Sequence, residues 1–333
     1  MPACDDKLLW DVINRTYHLP VLAAADEIGL FGYLEARAAG AEELRQHFGF
    51  AANPASAFLS LLEALGFLVR QDGLYRLTQV SRTYLLPQSP YYWGDMLQLL
   101  KAPPISCEDV VNTLKTGRLV PQNDAPDMWA ANALDQLRAQ AFTRAMHSHS
   151  QAPAEAVAQY GDFAGVQHLL DVGGASACFS IEIVRRYPQM TATILDLPVV
   201  CPLTEDYVRQ SGLTERIRAC SGDMFTDDWP QCDGVLFSNI FHDWDQDRVQ
   251  GLMDKSYRHL PSGGRIYIHE IPLEDDLSGP LTAVGYSMDM ALYTGGKQYS
   301  ASELSGMLTR AGFGPMEATQ THGYFWLFSA RKP

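Results

Sequence analysis

The 333-residue chain contains no apolar run of about 18 residues, so no membrane-spanning helix is expected. Its opening, MPACDDKLLW, lacks the basic segment followed by an apolar one that marks a secretory signal. The six cysteines, Cys4, Cys107, Cys178, Cys201, Cys220 and Cys232, include no C-x-x-C pair. Free thiols in a reduced, cytoplasmic protein are the simplest expectation. Basic residues are also scarce, with 25 Lys and Arg against 39 Asp and Glu and a formal net charge of −14. Such a surface would not neutralise phosphates, which argues against nucleic-acid and anionic-membrane partners. Internal repeats and low-complexity tracts are missing too. What remains is 47% hydrophobic and 19% charged, the balance of a globular protein with room for two domains.

Residues 1–100 read as short helices followed by a hairpin. LPVLAAADEIGLFGYLEA spaces its apolar residues helically, and AEELRQHF is a further helix. NPASAFLSLLEALG predicts a helix with Asn53 as its N-cap, Pro54 at its first position and Gly66 at its end. FLVRQDGLYRLT alternates around Asp72-Gly73, a strong hairpin signal. Helices followed by a hairpin outline a winged helix. With this charge balance, a dimerisation and lid module fits that outline better than a DNA reader. Pro103, Pro104, Pro121 and Pro126 mark a connecting region, and a long helical stretch, DMWAANALDQLRAQAFTRAMHSHSQAPAEAVAQY, follows it. Residues 101–160 are therefore expected to connect and cover, and 161–333 to form the second folded domain.

From about residue 166 the texture changes. VQHLLDVGG, TATILDLP, RIRACSGDMF, CDGVLFSNIF and GGRIYIHEI read as five strands, with helices such as QDRVQGLMDKSYRHLP between them. This alternation predicts an α/β fold with a doubly wound, Rossmann-like parallel sheet. Ligands of such sheets sit beyond the carboxyl ends of the strands. Three acids fall there in order: Asp171 before Gly173 and Gly174, Asp196 in ILDLP, and Asp223 in GDMF. Glycines admit a ligand to the backbone near a helix start, and an acid ending the second strand can accept ribose hydroxyls. Asp223 with Met224 suits an adenine, offering an acceptor for its amino group and a soft cover for its face. The third glycine of a dinucleotide fingerprint is missing, which points to a single adenosine-bearing ligand.

LLDVGG, ILDLPVV, GDMF, HDWDQD, LPSGGRIYIHE and TGGKQYSASEL…AGF together carry a resemblance. In order and spacing, the chain resembles the S-adenosylmethionine-dependent O-methyltransferases of the caffeate and acetylserotonin type. The resemblance implies a homodimer formed through the N-terminal domain and a small, aromatic acceptor. It implies a cofactor held by Asp171, Gly173, Gly174, Asp196, Leu197, Asp223, Met224, Phe225, Ser238, Ser150 and Trp244. It places the catalytic histidine at His242 and the glutamate that orients it at Glu270, with Asp243 as a further candidate. It puts Phe142, Met146, His149, Asp289, Tyr293 and Gln298 around the acceptor. No metal is implied, because the late loop YTGGKQYS carries no histidine.

A histidine suits the removal of a hydroxyl proton, because its pKa lies near neutrality and its second nitrogen can be held by a carboxylate. Three departures qualify the resemblance. The turn reads Ala175-Ser176-Ala177 where relatives carry further glycine, Gln298 replaces a glutamate, and Asp289 replaces an uncharged pocket residue. These keep open methylation at carbon or nitrogen, and a cofactor-binding relative that catalyses a rearrangement without methyl transfer.

Overall fold

A computed structural model describes residues 3–101, 105–120, 128–129 and 135–333. The prolines expected to mark the connecting region, Pro103, Pro104, Pro121 and Pro126, lie outside the described residues. The chain divides into two compact units, 1–103 and 104–333. No helix among the described residues is long and apolar enough to cross a membrane.

In the first unit, α1 (Lys7–Asn14), α2 (His18–Glu27), α3 (Leu30–Ala36), α4 (Ala41–Phe48) and α5 (Ala52–Ala64) accompany a three-stranded sheet. Its order is β1 (Ala39–Gly40), β3 (Leu74–Leu77), β2 (Leu68–Gln71). The hairpin forms where expected, with Asp72 at φ 52° and Gly73 at φ 78°, the pair of positive values a two-residue turn requires. Two helix expectations need correction. Gly29, at φ 75°, splits the segment read as one helix into α2 and α3. α5 begins at Ala52, with Ala51 rather than Asn53 at its N-cap position. Pro54 then falls in the first turn, where its missing N–H leaves no gap. Leu30, Phe31, Leu34, Leu44, Leu59, Leu62 and Tyr75 close the core of this unit.

Two short helices, Gln79–Tyr84 and Gly94–Leu99, complete the first unit, and the second begins with α6 (Cys107–Thr116) and α7 (Gln136–Tyr160). Then β4 (His168–Val172), α8 (Cys178–Arg186), β5 (Thr191–Asp196), α9 (Cys201–Ser211) and β6 (Ile217–Ser221) run outward across the sheet. The chain returns to place β7 (Gly234–Ser238), α10 (Gln246–His259) and β8 (Arg265–Glu270) on the other side of β4. After α11 (Leu281–Tyr293) and α12 (Ala301–Ala311), a hairpin of β9 (Glu317–His322) and β10 (Phe325–Arg331) completes seven strands in the order β6-β5-β4-β7-β8-β10-β9. Five strands are parallel, as expected. The hairpin adds two antiparallel strands, with β10 pairing against β8, which the sequence reading did not anticipate.

Alternate residues of each strand enter two cores. Leu170, Val172, Val235, Phe237 and Ile268 pack toward α10 and α12, and Leu169, Ile194, Leu236 and Tyr267 toward α7 and α8. Cover on both faces explains why these strands read as continuous apolar runs. Strand order reverses between β4 and β7, and in open α/β sheets the crevice at such a switch point takes the ligand.

Candidate active site

The segment after β4 turns sharply into α8. Gly173 lies at φ 70°, and a Cβ there would stand 2.4 Å from Ile240 Cδ1. A Cβ on Gly174 would stand 2.6 Å from the carboxyl carbon of Asp171. Asp171 is buried and accepts a 2.7 Å hydrogen bond from Ser180 of α8. Burial pushes its carboxyl up to about 7, although the Ser180 bond works the other way. The glycine-poor half of the turn keeps a glycine-like backbone. Ala175 has φ 44° and Ala177 φ 61°, conformations that are unfavourable by about 1–2 kcal/mol for each L-residue. Neighbouring groups hold them there. The Ala175 amide donates to Asp196 Oδ2 at 2.8 Å, and its carbonyl accepts from Thr204 Oγ1 at 2.6 Å. Ser176 Oγ lies 2.9 Å from His147 Nδ1.

Asp196, half-buried at the end of β5, also accepts from the Leu197 amide at 2.7 Å. Burial lifts it to about 6 despite both amides. At the end of β6, Asp223 is exposed and accepts from the Phe225 amide at 2.7 Å. Lys255 braces this segment, donating to the carbonyls of Met224 (3.0 Å), Phe225 (3.3 Å) and Asp227 (2.6 Å). Rings then run in series. Phe225 meets Trp244 edge-on at 4.9 Å, Trp244 stacks on Trp129 at 6.3 Å, and Trp129 meets Phe142 edge-on at 5.7 Å. Arg248 lies 4.8 Å above Trp244. Ser238, at the end of β7, bonds His269 Nδ1 at 3.1 Å. Ser150 is buried on α7.

These features fit an adenosine-bearing cofactor. The turn is open on the side of Gly173, Gly174 and Ala175, carboxylates end β5 and β6, and the aromatic residues that follow supply flat apolar cover. Buried Asn239 Oδ1 and Trp244 Nε1, both next to the switch point, have no hydrogen-bond partner among the described residues. A separate cleft of about 320 Å³ lined by Val166, Asp233 and Arg265 opens at the amino ends of the strands, the opposite end from these groups.

His242 lies on a 3-10 turn, Phe241–Asp243, four residues beyond β7. Its Nδ1 is 2.7 Å from Glu270 Oε2, and both side chains are buried. Glu270 is fixed in turn, because its Oε1 accepts from the amides of Phe241 (3.1 Å) and His242 (3.4 Å). The bond to a carboxylate assigns the Nδ1 proton and leaves Nε2 on the side of the ring away from Glu270. Asp243 Oδ1 lies 3.6 Å from that Nε2. Burial opposes charge on the ring, yet Glu270, Asp243 and Asp289 outweigh it and raise His242 to about 9. Asp243 itself is pushed up to about 7, by burial first, with His242 pulling it down.

α11 and the loop after it close over this turn. The Tyr286 ring packs 5.0 Å from that of His242. Asp289, three residues on, keeps solvent access, although the protein around it raises its carboxyl against the pull of His242. Tyr293 is half-buried at the end of the same helix. The loop then presses backbone against backbone, and a Cβ on Gly296 would stand 2.0 Å from the His242 carbonyl oxygen. Gln298 is fully buried, with its main-chain amide on Ser287 Oγ at 3.1 Å and neither amide-group atom of its side chain partnered among the described residues. On α7, Phe142, Met146 and His149 are half-buried, and burial lowers His149 to about 4. Pro153 has no N–H, so the helical bond to the His149 carbonyl is missing.

The fold therefore brings the residues expected from the sequence to one end of the sheet. His147, Trp129, Arg248, Tyr286 and Gly296 join them there without having been expected. Only Gly296, in a Gly-Gly pair after a helix, left a local signal of close backbone approach. Among the described residues no group of three or more His, Cys, Asp or Glu side chains is placed to hold a metal ion.

A profile of the O-methyltransferase domain matches residues 109–314. The chain is 35% identical over 310 residues to a 3-hydroxy-5-methyl-1-naphthoate 3-O-methyltransferase of Streptomyces sahachiroi, covering 92% of this chain and 88% of that relative. It is 29% identical over 306 residues to an L-tyrosine C(3)-methyltransferase of Streptomyces lavendulae, covering 88% and 83%. The fold matches that of human N-acetylserotonin methyltransferase in complex with S-adenosylmethionine. The TM-score is 0.84 at 24% identity, over 100% of this chain and 99% of that one.

Proposed function

The chain belongs to the S-adenosylmethionine-dependent O-methyltransferase family, and from that premise we propose that it methylates a hydroxyl of a small aromatic specialised metabolite, with His242 as general base. The observation that carries this reading is the Glu270 lock on His242: one carboxylate oxygen on Nδ1 and the other on two backbone amides. It fixes the tautomer and the direction of Nε2, as an oriented base requires.

The bound cofactor supplies a methyl already activated on a sulfonium. The chain's task is to hold that cofactor, align the acceptor, exclude water and take a proton. Asp171, Gly173, Gly174, Asp196, Leu197, Asp223, Met224, Phe225, Ser238, Ser150 and Trp244 would hold the cofactor. Phe142, Met146, His149, Tyr293 and Gln298 would line the acceptor. Alignment of this kind can supply roughly 7–11 kcal/mol and a general base typically about 10²–10⁴-fold. To take a proton the His242 ring must be neutral. The surrounding carboxylates hold charge on it, whereas a cation bound in the cleft works the other way.

The test is product analysis with a panel of hydroxyaromatic acceptors. A methyl ether formed by the wild type and lost in His242→Ala, with cofactor binding kept, supports the reading. A wild-type rate in that variant would remove His242 from the chemistry.

Asp289 favours a second reading. It stands beside the His242 turn on α11 with no hydrogen bond or ion pair among the described residues, so a polar or amine-bearing acceptor would find a counter-charge there. Methylation would then fall on nitrogen or carbon, and the position of the methyl by NMR distinguishes the two readings.

Two further parts of the reading concern assembly and location. α1 has no buried residue and exposes Leu8, Leu9, Trp10 and Ile13, so a second copy of this chain is the partner it suits. All six cysteines are free, which supports a cytoplasmic protein. Light scattering of the wild type against Trp10→Glu checks the dimer.

A further inference from the structure

The turn Gly173–Ala177 has two faces. Gly173, Gly174 and Ala175 are half-buried, while Ser176 and Ala177 are buried behind them. Ala175 and Ala177 both hold positive φ values that alanine does not favour, so something outside the turn must maintain its shape. Two helices reach it from the buried side. From α9, Thr204 Oγ1 donates to the Ala175 carbonyl at 2.6 Å. From α7, His147 Nδ1 lies 2.9 Å from Ser176 Oγ. The two helices are themselves joined, because the His147 ring stacks on Tyr207 of α9 at 4.1 Å with 29° between the planes. Gln151, one turn further along α7, meets His147 Nε2 through its side-chain nitrogen. An amide N–H donated to Nε2 assigns the ring proton to Nδ1, so His147 is the donor to Ser176. Burial holds the ring neutral, with its pKa lowered to about 4.

We propose that the His147–Ser176 hydrogen bond, seated on Tyr207, is a positioning device that holds the cofactor turn in its left-handed shape. The bond does from the side what a glycine would do from within: it makes the positive φ values the stable state. His147 touches no group proposed to react. It shares α7 with Met146, His149 and Ser150, so the same bond fixes the register of that helix against the turn. The inference rests on the reading of this turn as the cofactor's seat.

The test is titration calorimetry with S-adenosylhomocysteine on the full chain, beside steady-state kinetics. Ser176→Ala and His147→Phe, the latter keeping a ring on Tyr207, should each weaken binding roughly five- to tenfold, the size of one ordinary hydrogen bond. The double variant should lose no more than either single one, because both break the same bond. KM for the cofactor should rise by the same factor while kcat at saturating cofactor moves much less. Ser176→Thr, which keeps the hydroxyl, should bind as the wild type does. A merely structural role would lower thermal stability without this split. Unchanged affinity in Ser176→Ala, or additive losses in the double variant, overturns the proposal. Gly173→Val separates the two levels. If it leaves binding intact, the turn is not the cofactor's seat; if it abolishes binding while Ser176→Ala does nothing, the seat stands and the positioning device falls. Ser176→Ala removes only a hydroxyl and carries the test should His147→Phe fail to fold.

Discussion

The turn after β4 and the turn after β7 lie at the ends of neighbouring strands, yet they treat their polar groups differently. In Gly173–Ala177 the amide and carbonyl of Ala175 and the hydroxyl of Ser176 all have partners at 2.6–2.9 Å. Around His242 the histidine and Glu270 are locked together, but Gln298, Trp244 and Asn239 keep buried polar atoms with no partner among the described residues. A buried group left unsatisfied is unfavourable by about 1–3 kcal/mol. The first turn is built from main chain held in one shape. The second is built from side chains whose hydrogen-bonding capacity is only partly used. A main-chain turn of the first kind suits a ligand of fixed shape, whereas the second leaves hydrogen-bonding capacity on the proposed cofactor side, at Trp244, and on the proposed acceptor side, at Gln298.

The largest test of that contrast is His242→Ala. Turnover should fall about 10²–10⁴-fold, with S-adenosylhomocysteine affinity unchanged, because the two turns would then do separable work. Glu270→Gln should fall short of that loss and add little to it in the double variant, as expected of groups acting as a unit. If His242→Ala weakened cofactor binding as much as turnover, the separation would fail.

Gly296→Ala comes next. Its Cβ would stand 2.0 Å from the His242 carbonyl oxygen, a contact that only backbone movement can relieve. Overpacking of this kind costs typically about 1–3 kcal/mol, and calorimetry should show a lower Tm together with a lower kcat. Gln298→Met has the opposite sign for stability. Replacing an unsatisfied amide with an apolar chain of similar shape should raise Tm by a few degrees, given about 2–4 °C per kcal/mol at this domain size. The acceptor KM should rise in the same variant, and a fall in Tm would mean that the amide is satisfied in solution.

The smallest effect concerns pH. Asp289 is one of the carboxylates that hold His242 up at about 9. A base must be neutral, so kcat/KM for the acceptor should climb with pH as His242 loses its proton, at a lower pH than in the ligand-free protein because the bound cation opposes charge on the ring. Asp289→Asn removes one anion, lowers the His242 pKa, and should move the acid limb of the profile to lower pH. A limb that stays put, or moves to higher pH, would take Asp289 out of the electrostatics of the site.

Much of this arrangement was legible in the sequence because the parallel sheet sorts it. Strand-end residues of such a sheet converge on one edge, so Asp171, Asp196 and Asp223 could be placed together from the apolar runs, while His242 and Glu270 were named by the resemblance. The closing hairpin of β9 and β10 was not legible as strands, since EATQTH is polar at nearly every position and packs as an edge. The stacking of Trp129 on Trp244 and the contact of Tyr286 with His242 join residues more than 40 positions apart, and no local pattern encodes such pairings. The start of α5 was misplaced because Asn53 is a good cap in isolation, whereas packing of Ala55, Leu59 and Leu62 sets where the helix begins.

The contact between Gly296 and the His242 carbonyl carries a consequence for how this enzyme could change over time. The loop that would cover the acceptor and the turn carrying the proposed base touch through their backbones, with no side chain between them to absorb a shift. Substitutions from Thr294 to Gln298 selected for a new acceptor would therefore move the base as well. Acceptor range and speed should drift together here, and a lineage gaining one should be found repairing the other.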